Sequence, residues 1–224
     1  MKKFLITLAI IFGTIAITSE PARSQETFTP AQAARIIQSS TVALVKNNNE
    51  FCTATKIDPR MYLTAKHCVG QDTDFGLEYK KLTTLWPRYI TLPWGTKSDG
   101  ERKPDWAIIE TTFGAADIQP AKLGCAEEIY LGQPVAVYGY SSHAAPSFSV
   151  GYVSSLEPGE DPWSFDYAID VQAAPGSSGS AVMSLDTGAI IGVLVEGIAA
   201  NRVGFYLIGV QEIKTTPVCL DRGE

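Results

Sequence analysis

Ala189-Ile190-Ile191-Gly192-Val193-Leu194-Val195-Glu196 is a run of aliphatic, β-branched residues bounded by turn formers, the signature of a strand. Six more runs of the same kind follow Ser40: Thr41–Val45, Tyr62–Ala65, Ala107–Thr111, Pro134–Gly139, Ala181–Ser184 and Phe205–Val210. Gly, Pro, Asn and Asp break the chain between them, and no helical period of useful length appears. Many short strands separated by such turns predict an all-β sandwich or barrel. One helix is expected ahead of them, over Pro30–Gln38, with Thr29 as its N-cap and Pro30 as its first residue. There is no fixed repeat, low-complexity tract or charge block. An internal boundary is expected in Asp117-Ile118-Gln119-Pro120-Ala121-Lys122-Leu123-Gly124.

The first 24 residues read differently. Lys2 and Lys3 precede an uncharged apolar run, Phe4–Ile17, and small residues follow it. That pattern predicts a secretory signal peptide cleaved after Ser24. The 14-residue run is too short for a membrane-spanning helix, which needs about 20 apolar residues. The expected mature chain is secreted or periplasmic, begins at Gln25 and has no stable membrane insertion. Residues 25–40 would be an N-terminal segment or a short pro-segment. A hydrophobic fraction of 45% is too high for a disordered chain. The net charge of −6 gives no footprint for nucleic acid or an anionic membrane. Four cysteines in an exported chain suggest two disulfides, in any of three pairings. Without a Cys-x-x-Cys and with two histidines, no structural zinc is expected.

Three segments carry ionisable or nucleophilic groups at strand ends: Leu63-Thr64-Ala65-Lys66-His67-Cys68-Val69, Asp105-Trp106-Ala107-Ile108-Ile109, and Pro175-Gly176-Ser177-Ser178-Gly179-Ser180-Ala181-Val182. Each alone has a bland reading. The histidine could be structural, the aspartate a cap, and the Gly/Ser stretch a loop. Together they supply a base, an acid and a hydroxyl in the order His, Asp, Ser, at spacings of 38 and 73 residues. A hydroxyl is a poor nucleophile near neutral pH. It needs an adjacent base, and the base needs a third group to orient it.

At these residues the chain resembles the chymotrypsin/trypsin-like serine peptidases, over about residues 41–213. Thr64-Ala65-Lys66-His67-Cys68 matches that family's Thr-Ala-Ala-His-Cys, and Asp105-Trp106-Ala107-Ile108-Ile109 its Asp-Ile-Ala-Leu-Leu. Gly176-Ser177-Ser178-Gly179-Ser180 looks like Gly-Asp-Ser-Gly-Gly. It is closer still to the Gly-x-Ser-Gly-Ser of bacterial glutamyl-endopeptidase-like (V8-like) secreted members. The resemblance implies two antiparallel six-stranded β-barrels, residues 41–120 and 121–224, with the site in the cleft between them. It also implies hydrolysis of protein or peptide substrates through an acyl-enzyme. His67, Asp105 and Ser178 would be catalytic, and the backbone N–H groups of Gly176 and Ser178 would form the oxyanion hole. Disulfides Cys52–Cys68 and Cys125–Cys219 are implied in the same way. No cofactor or metal is expected, and the chain is expected to be a monomer.

Departures from the family pattern limit the parallel. Ser177 stands where many members carry the Asp that pairs with a newly cut N-terminus, so that activation switch is absent. Val195 and Glu196 replace a usual Ser and aromatic. Gly197 and Gly204 would leave the entrance of the S1 pocket open, and Gln172 would make its floor neutral. No histidine lies near Leu194, so the glutamate-reading arrangement is missing. The tail to Glu224 is too short for the family's long C-terminal helix. Two alternatives belong to other classes. A catalytically silent, protease-like binding module would normally have lost a triad member. An α/β-hydrolase would need the order Ser, acid, His, the reverse of what is found.

Overall fold

The computed structural model describes residues 27–47, 49–70, 73–93, 104–140, 145–159, 165–200 and 205–221. The expected signal peptide and Gly204 lie outside them. Helix α1 (Pro30–Ser40) starts as its sequence directs. The Thr29 side chain accepts the Gln32 N–H, Gln32 returns a bond to the Thr29 N–H, and Pro30 fills the first turn. Ala33 and Ile37 are fully buried among residues of both halves of the molecule. Ahead of the helix, the Phe28 N–H donates to the Leu185 carbonyl at 2.6 Å.

The chain then runs through β1 (Thr41–Lys46), β2 (Asn49–Asp58), β3 (Met61–Ala65), a turn of helix α2 (Lys66–Val69), β4 (Gly76–Tyr79), β5 (Thr83–Leu85), β6 (Pro87–Thr91) and β7 (Trp106–Thr111). These strands form one antiparallel sheet in the order β5-β4-β1-β2-β3-β7-β6. Its two edges, β5 and β6, are separated in sequence by Trp86 alone. The sheet therefore curls until its first and last strands are one bent chain segment. Pro87, with no N–H to give a ladder, sits at that bend. Counted by passes of the chain, the seven strands make six. The expected pair of closed barrels is thus met by one closed barrel and one curled sheet.

The second half contains β8 (Pro134–Gly139), β9 (Ser147–Ser155), β10 (Tyr167–Ile169), β11 (Ala181–Ser184), β12 (Ile190–Ala200), β13 (Phe205–Glu212) and a last turn, α3 (Pro217–Leu220). It closes as β10-β13-β12-β11-β8-β9. Each half has its own apolar core, Val42, Leu44, Leu77 and Ile109 in the first and Val135, Ile169, Val182 and Val210 in the second. A third cluster, with Leu63, Trp106, Met183 and Ile190, lies between them and fixes one half on the other. Disulfides Cys52–Cys68 and Cys125–Cys219 are formed. No described helix is long and apolar enough to cross a membrane.

Candidate active site

Strand β3 delivers Ala65 to the seam, and α2 turns the chain there so that His67 projects from its first turn. Strand β7 pairs with β3 in a register that sets Ala65 opposite Trp106, which brings Asp105 alongside Lys66 and His67. The Lys66 N–H donates to the Asp105 carbonyl at 3.0 Å. Both carboxylate oxygens of Asp105 face His67: Oδ1 accepts the His67 backbone N–H at 2.9 Å, and Oδ2 lies 2.6 Å from Nδ1. His67 is half-exposed, its side chain 46% accessible, while Asp105 is largely covered at 22%. The acid is thus more shielded from solvent than the base it contacts.

Asp105 is also held from the second half. Its N–H donates to Gln211 Oε1 at 3.1 Å, and Gln211 Nε2 donates to Asp166 Oδ2. Asp166 Oδ2 in turn accepts the Glu212 N–H at 2.8 Å. Trp106 Nε1 donates to Thr215 Oγ1 at 3.1 Å, adding a second tie across the seam.

Ser178 lies on the loop that leads into β11. This loop is folded by its own bonds: Ser177 N–H to Ala174 carbonyl, Ser180 N–H to Ser177 carbonyl, and Ala174 N–H to Ser177 Oγ. Gly176 and Gly179 have φ values of 96° and 86°, a region L side chains rarely occupy. At Gly179 a Cβ would also strike the Thr53 carbonyl and Thr64 Oγ1, so the loop sits directly on β2 and β3. The Thr53 N–H donates to the Ser178 carbonyl at 2.9 Å. Cys68 Sγ touches that carbonyl at 3.7 Å, a contact only, since a disulfide sulfur has no proton to give. Ser178 therefore lies beside the segment that carries His67. Among the described residues, the N–H groups of Gly176 and Ser178 donate to no protein acceptor.

Two cavities flank these groups. One, of about 280 Å³, is lined by Ala173, Ala174, Pro175, Ser178, Leu194, Gly197 and Ile208. The other, of about 530 Å³, lies by His67, Cys68, Phe51 and Phe75. Gln172, expected at the floor of the first, is instead exposed, with its N–H donating to Ser149 Oγ at 3.0 Å. The extended segment explains this: side chains alternate, so Val171 and Ala173 turn inward and Gln172 outward. A larger hollow of about 910 Å³, between Glu50, Lys80, Lys81, Tyr138 and Tyr140, is lined by none of His67, Asp105 and Ser178. Cys52, His67 and Cys68 cluster as metal ligands might, but both sulfurs are in the disulfide.

Thr53, Gln211 and Asp166 were not marked by the sequence. The bonds Thr53–Ser178, Gln211–Asp105 and Gln211–Asp166 join residues 125, 106 and 45 positions apart, and no local pattern announces such contacts.

A closed barrel and a curled sheet of six passes, meeting along a cleft, define the chymotrypsin-like fold. The chain belongs to the trypsin-like peptidase domain family, whose profile matches residues 51–193. That family makes it a protease with peptide substrates. Among solved structures, the Rv3671c protease of M. tuberculosis in its inactive form is similar, with a TM-score of 0.63 and 18% identity over 85% of this chain and 91% of that one. A scabies mite inactivated protease paralogue, S-I1, has a TM-score of 0.65 at 15% identity, over 84% and 94%. At such identities the likeness is one of fold. No curated protein matches the chain.

Proposed function

We propose that the chain is an exported serine endopeptidase that cleaves peptide bonds through an acyl-enzyme at Ser178. The observation that carries this reading is the two-point contact of Asp105 with His67, made at the seam where the Ser178 loop also docks. With Nδ1–H donated to Asp105, the imidazole presents Nε2 as an acceptor. Ser178 Oγ bonds to the substrate carbonyl carbon as its proton passes to His67. Asp105 stabilises the imidazolium without taking the proton. The negative charge gathering on the carbonyl oxygen is met by the free N–H groups of Gly176 and Ser178, donors of a kind worth about 3–4 kcal/mol each. Collapse breaks the C–N bond, and His67 returns the proton to the leaving amine. Water then enters by the reverse route, and its attack frees Ser178.

Pocket and loop refine the proposal. The cavity beside Ser178 is lined by apolar groups and has no carboxylate among its described lining residues. A cationic P1 side chain would be buried there without a partner, at a cost of several kcal/mol. Cleavage after uncharged residues follows. Because Ser177 completes the loop with its own hydroxyl, no newly cut N-terminus is required, and a chain starting at Gln25 is active once its disulfides form. The leader ending at Ser24, the division into halves near residue 120, the monomeric state and the V8-like subtype belong to the same proposal. For the subtype, the support is the Gly176-x-Ser178-Gly179-Ser180 pattern.

The test is digestion of casein and of a mixed peptide library by the wild type and by Ser178→Ala. The wild type should cleave, chiefly after uncharged residues, and the variant should lose several powers of ten in kcat with its fold intact. Wild-type turnover by Ser178→Ala would contradict the nucleophile, and dominant cleavage after Lys or Arg would contradict the pocket. A folded wild type that cleaves nothing would favour a silent binding module.

A further inference from the structure

The bonds internal to the Ser178 loop do not use the carbonyls of Gly176 and Ser178. They flank the Ser177–Ser178 peptide, which carries one oxyanion-hole donor, and the Gly176 carbonyl adjoins the Pro175–Gly176 peptide, which carries the other. Turning the Gly176 N–H away from the cleft would need the Pro175–Gly176 peptide to rotate, and Gly176 would then leave its φ of 96°. Both carbonyls are held by one residue of the opposite half. The Thr53 N–H donates to the Ser178 carbonyl at 2.9 Å, and Thr53 Oγ1 donates to the Gly176 carbonyl at 2.9 Å. The same hydroxyl accepts the Tyr140 N–H at 2.9 Å, and the Thr53 carbonyl accepts Thr64 Oγ1 at 2.7 Å. Thr53 is fully buried, and every polar atom it has is engaged. With four bonds to three segments, its χ1 and its backbone have no slack.

We infer that Thr53 is the positioning residue that keeps the oxyanion hole formed in the free protein, in place of an ion pair that Ser177 cannot make. The inference rests on the serine-peptidase reading given above. It has a consequence for the disulfide as well. Cys52 precedes Thr53 and Cys68 follows His67, so the single bridge registers the clamp and the base against each other. The first half thereby sets both the proton acceptor and the hole, while the second half supplies the nucleophile.

Thr53→Val keeps the shape and the N–H but removes the hydroxyl, and Thr53→Ser restores it. Thr53→Val should lower kcat about 10- to 100-fold with KM within about threefold, because the hole acts chiefly on the transition state. Affinity for a peptidyl boronate, whose tetrahedral oxygen occupies the hole, should fall by a similar factor. Thr53→Ser should stay within about threefold of wild type on both measures. A folded Thr53→Val with wild-type kcat and boronate affinity would overturn the inference, and so would a Thr53→Ser variant no better than Thr53→Val. Should Thr53→Val fail to fold, ¹⁵N relaxation of the free wild type decides. The Gly176 and Ser178 amides should be as ordered as strand amides, with order parameters near ~0.85. Exchange broadening confined to residues 175–178 would contradict a preformed hole. That reading needs no turnover, so a folded wild type that cleaves nothing would count against the peptidase reading alone.

Discussion

Gly179 shows how little room the Ser178 loop has. Its φ of 86° already disfavours any L side chain by about 1–2 kcal/mol. Its missing Cβ, moreover, is the space in which the Thr53 carbonyl and Thr64 Oγ1 sit. Backbone cannot step aside as a flexible side chain can. Gly179→Ala should therefore lower Tm and, in whatever folds, displace Ser178 from the His67 segment, with a loss of at least about tenfold in kcat. A variant with wild-type melting and wild-type turnover would show that the loop does not dock as described. At this scale the groups that meet at the seam were legible and their supports were not. His67, Asp105 and Ser178 stood out because each lies in a short motif with fixed neighbours. Thr53, Gln211 and Asp166 have no motif, since their roles exist only once distant strands have paired. Gln172 was misplaced because counting back from Ser178 gives a position but not the face of an extended segment.

Helix α1 does more than precede the strands. Its inner face, Ala33 and Ile37, belongs to the cluster that joins the two halves, and Phe28 extends the contact to Leu185. A segment so placed is part of the folded unit, which argues against its removal as a pro-segment. Ile37→Ala should destabilise the protein by about 2–5 kcal/mol, measured by urea unfolding, because it empties a fully buried site between both halves. A change below about 1 kcal/mol would mean that the helix is a loose appendage. Seven strands were readable as apolar runs, and the helix was readable from its capping residues. Of the other six strands, β2 and β9, the longest, were hidden for physical reasons. In β2, Lys56 looks like a surface residue, yet it is buried and its ammonium donates to the Ala115 and Ile118 carbonyls at 2.6 and 2.9 Å. Burial pulls its pKa below the ordinary lysine value, against the opposing pull of Asp117 and Asp58. In β9, Gly151 and four serines dilute the apolar pattern that a half-exposed strand would show.

At the scale of the molecule, function depends on two halves held in register, and several groups at risk from high pH lie within them. Tyr140, beside Thr53 at the seam, has its pKa pushed up to about 12, mainly by burial. Tyr62 and Tyr167 are raised in the same direction by the same cause. An unfolded tyrosine ionises near ~10, so each contributes stability that is complete below that pH and is lost as the pH rises toward the folded value. The urea midpoint should therefore hold steady to about pH 9.5 and fall steeply by about pH 11.5. A flat midpoint across that window would contradict the burial of these hydroxyls. The central claim is narrower still: that the seam converts the Ser178 hydroxyl into a nucleophile. The most direct measurement is reaction of the folded, disulfide-bonded protein with a fluorophosphonate, followed by mass mapping of the adduct. One adduct on Ser178, abolished in Ser178→Ala and strongly slowed in His67→Ala, is the result expected. Absence of an adduct on Ser178 in correctly folded protein, or equal labelling of Ser178→Ala, would contradict the account.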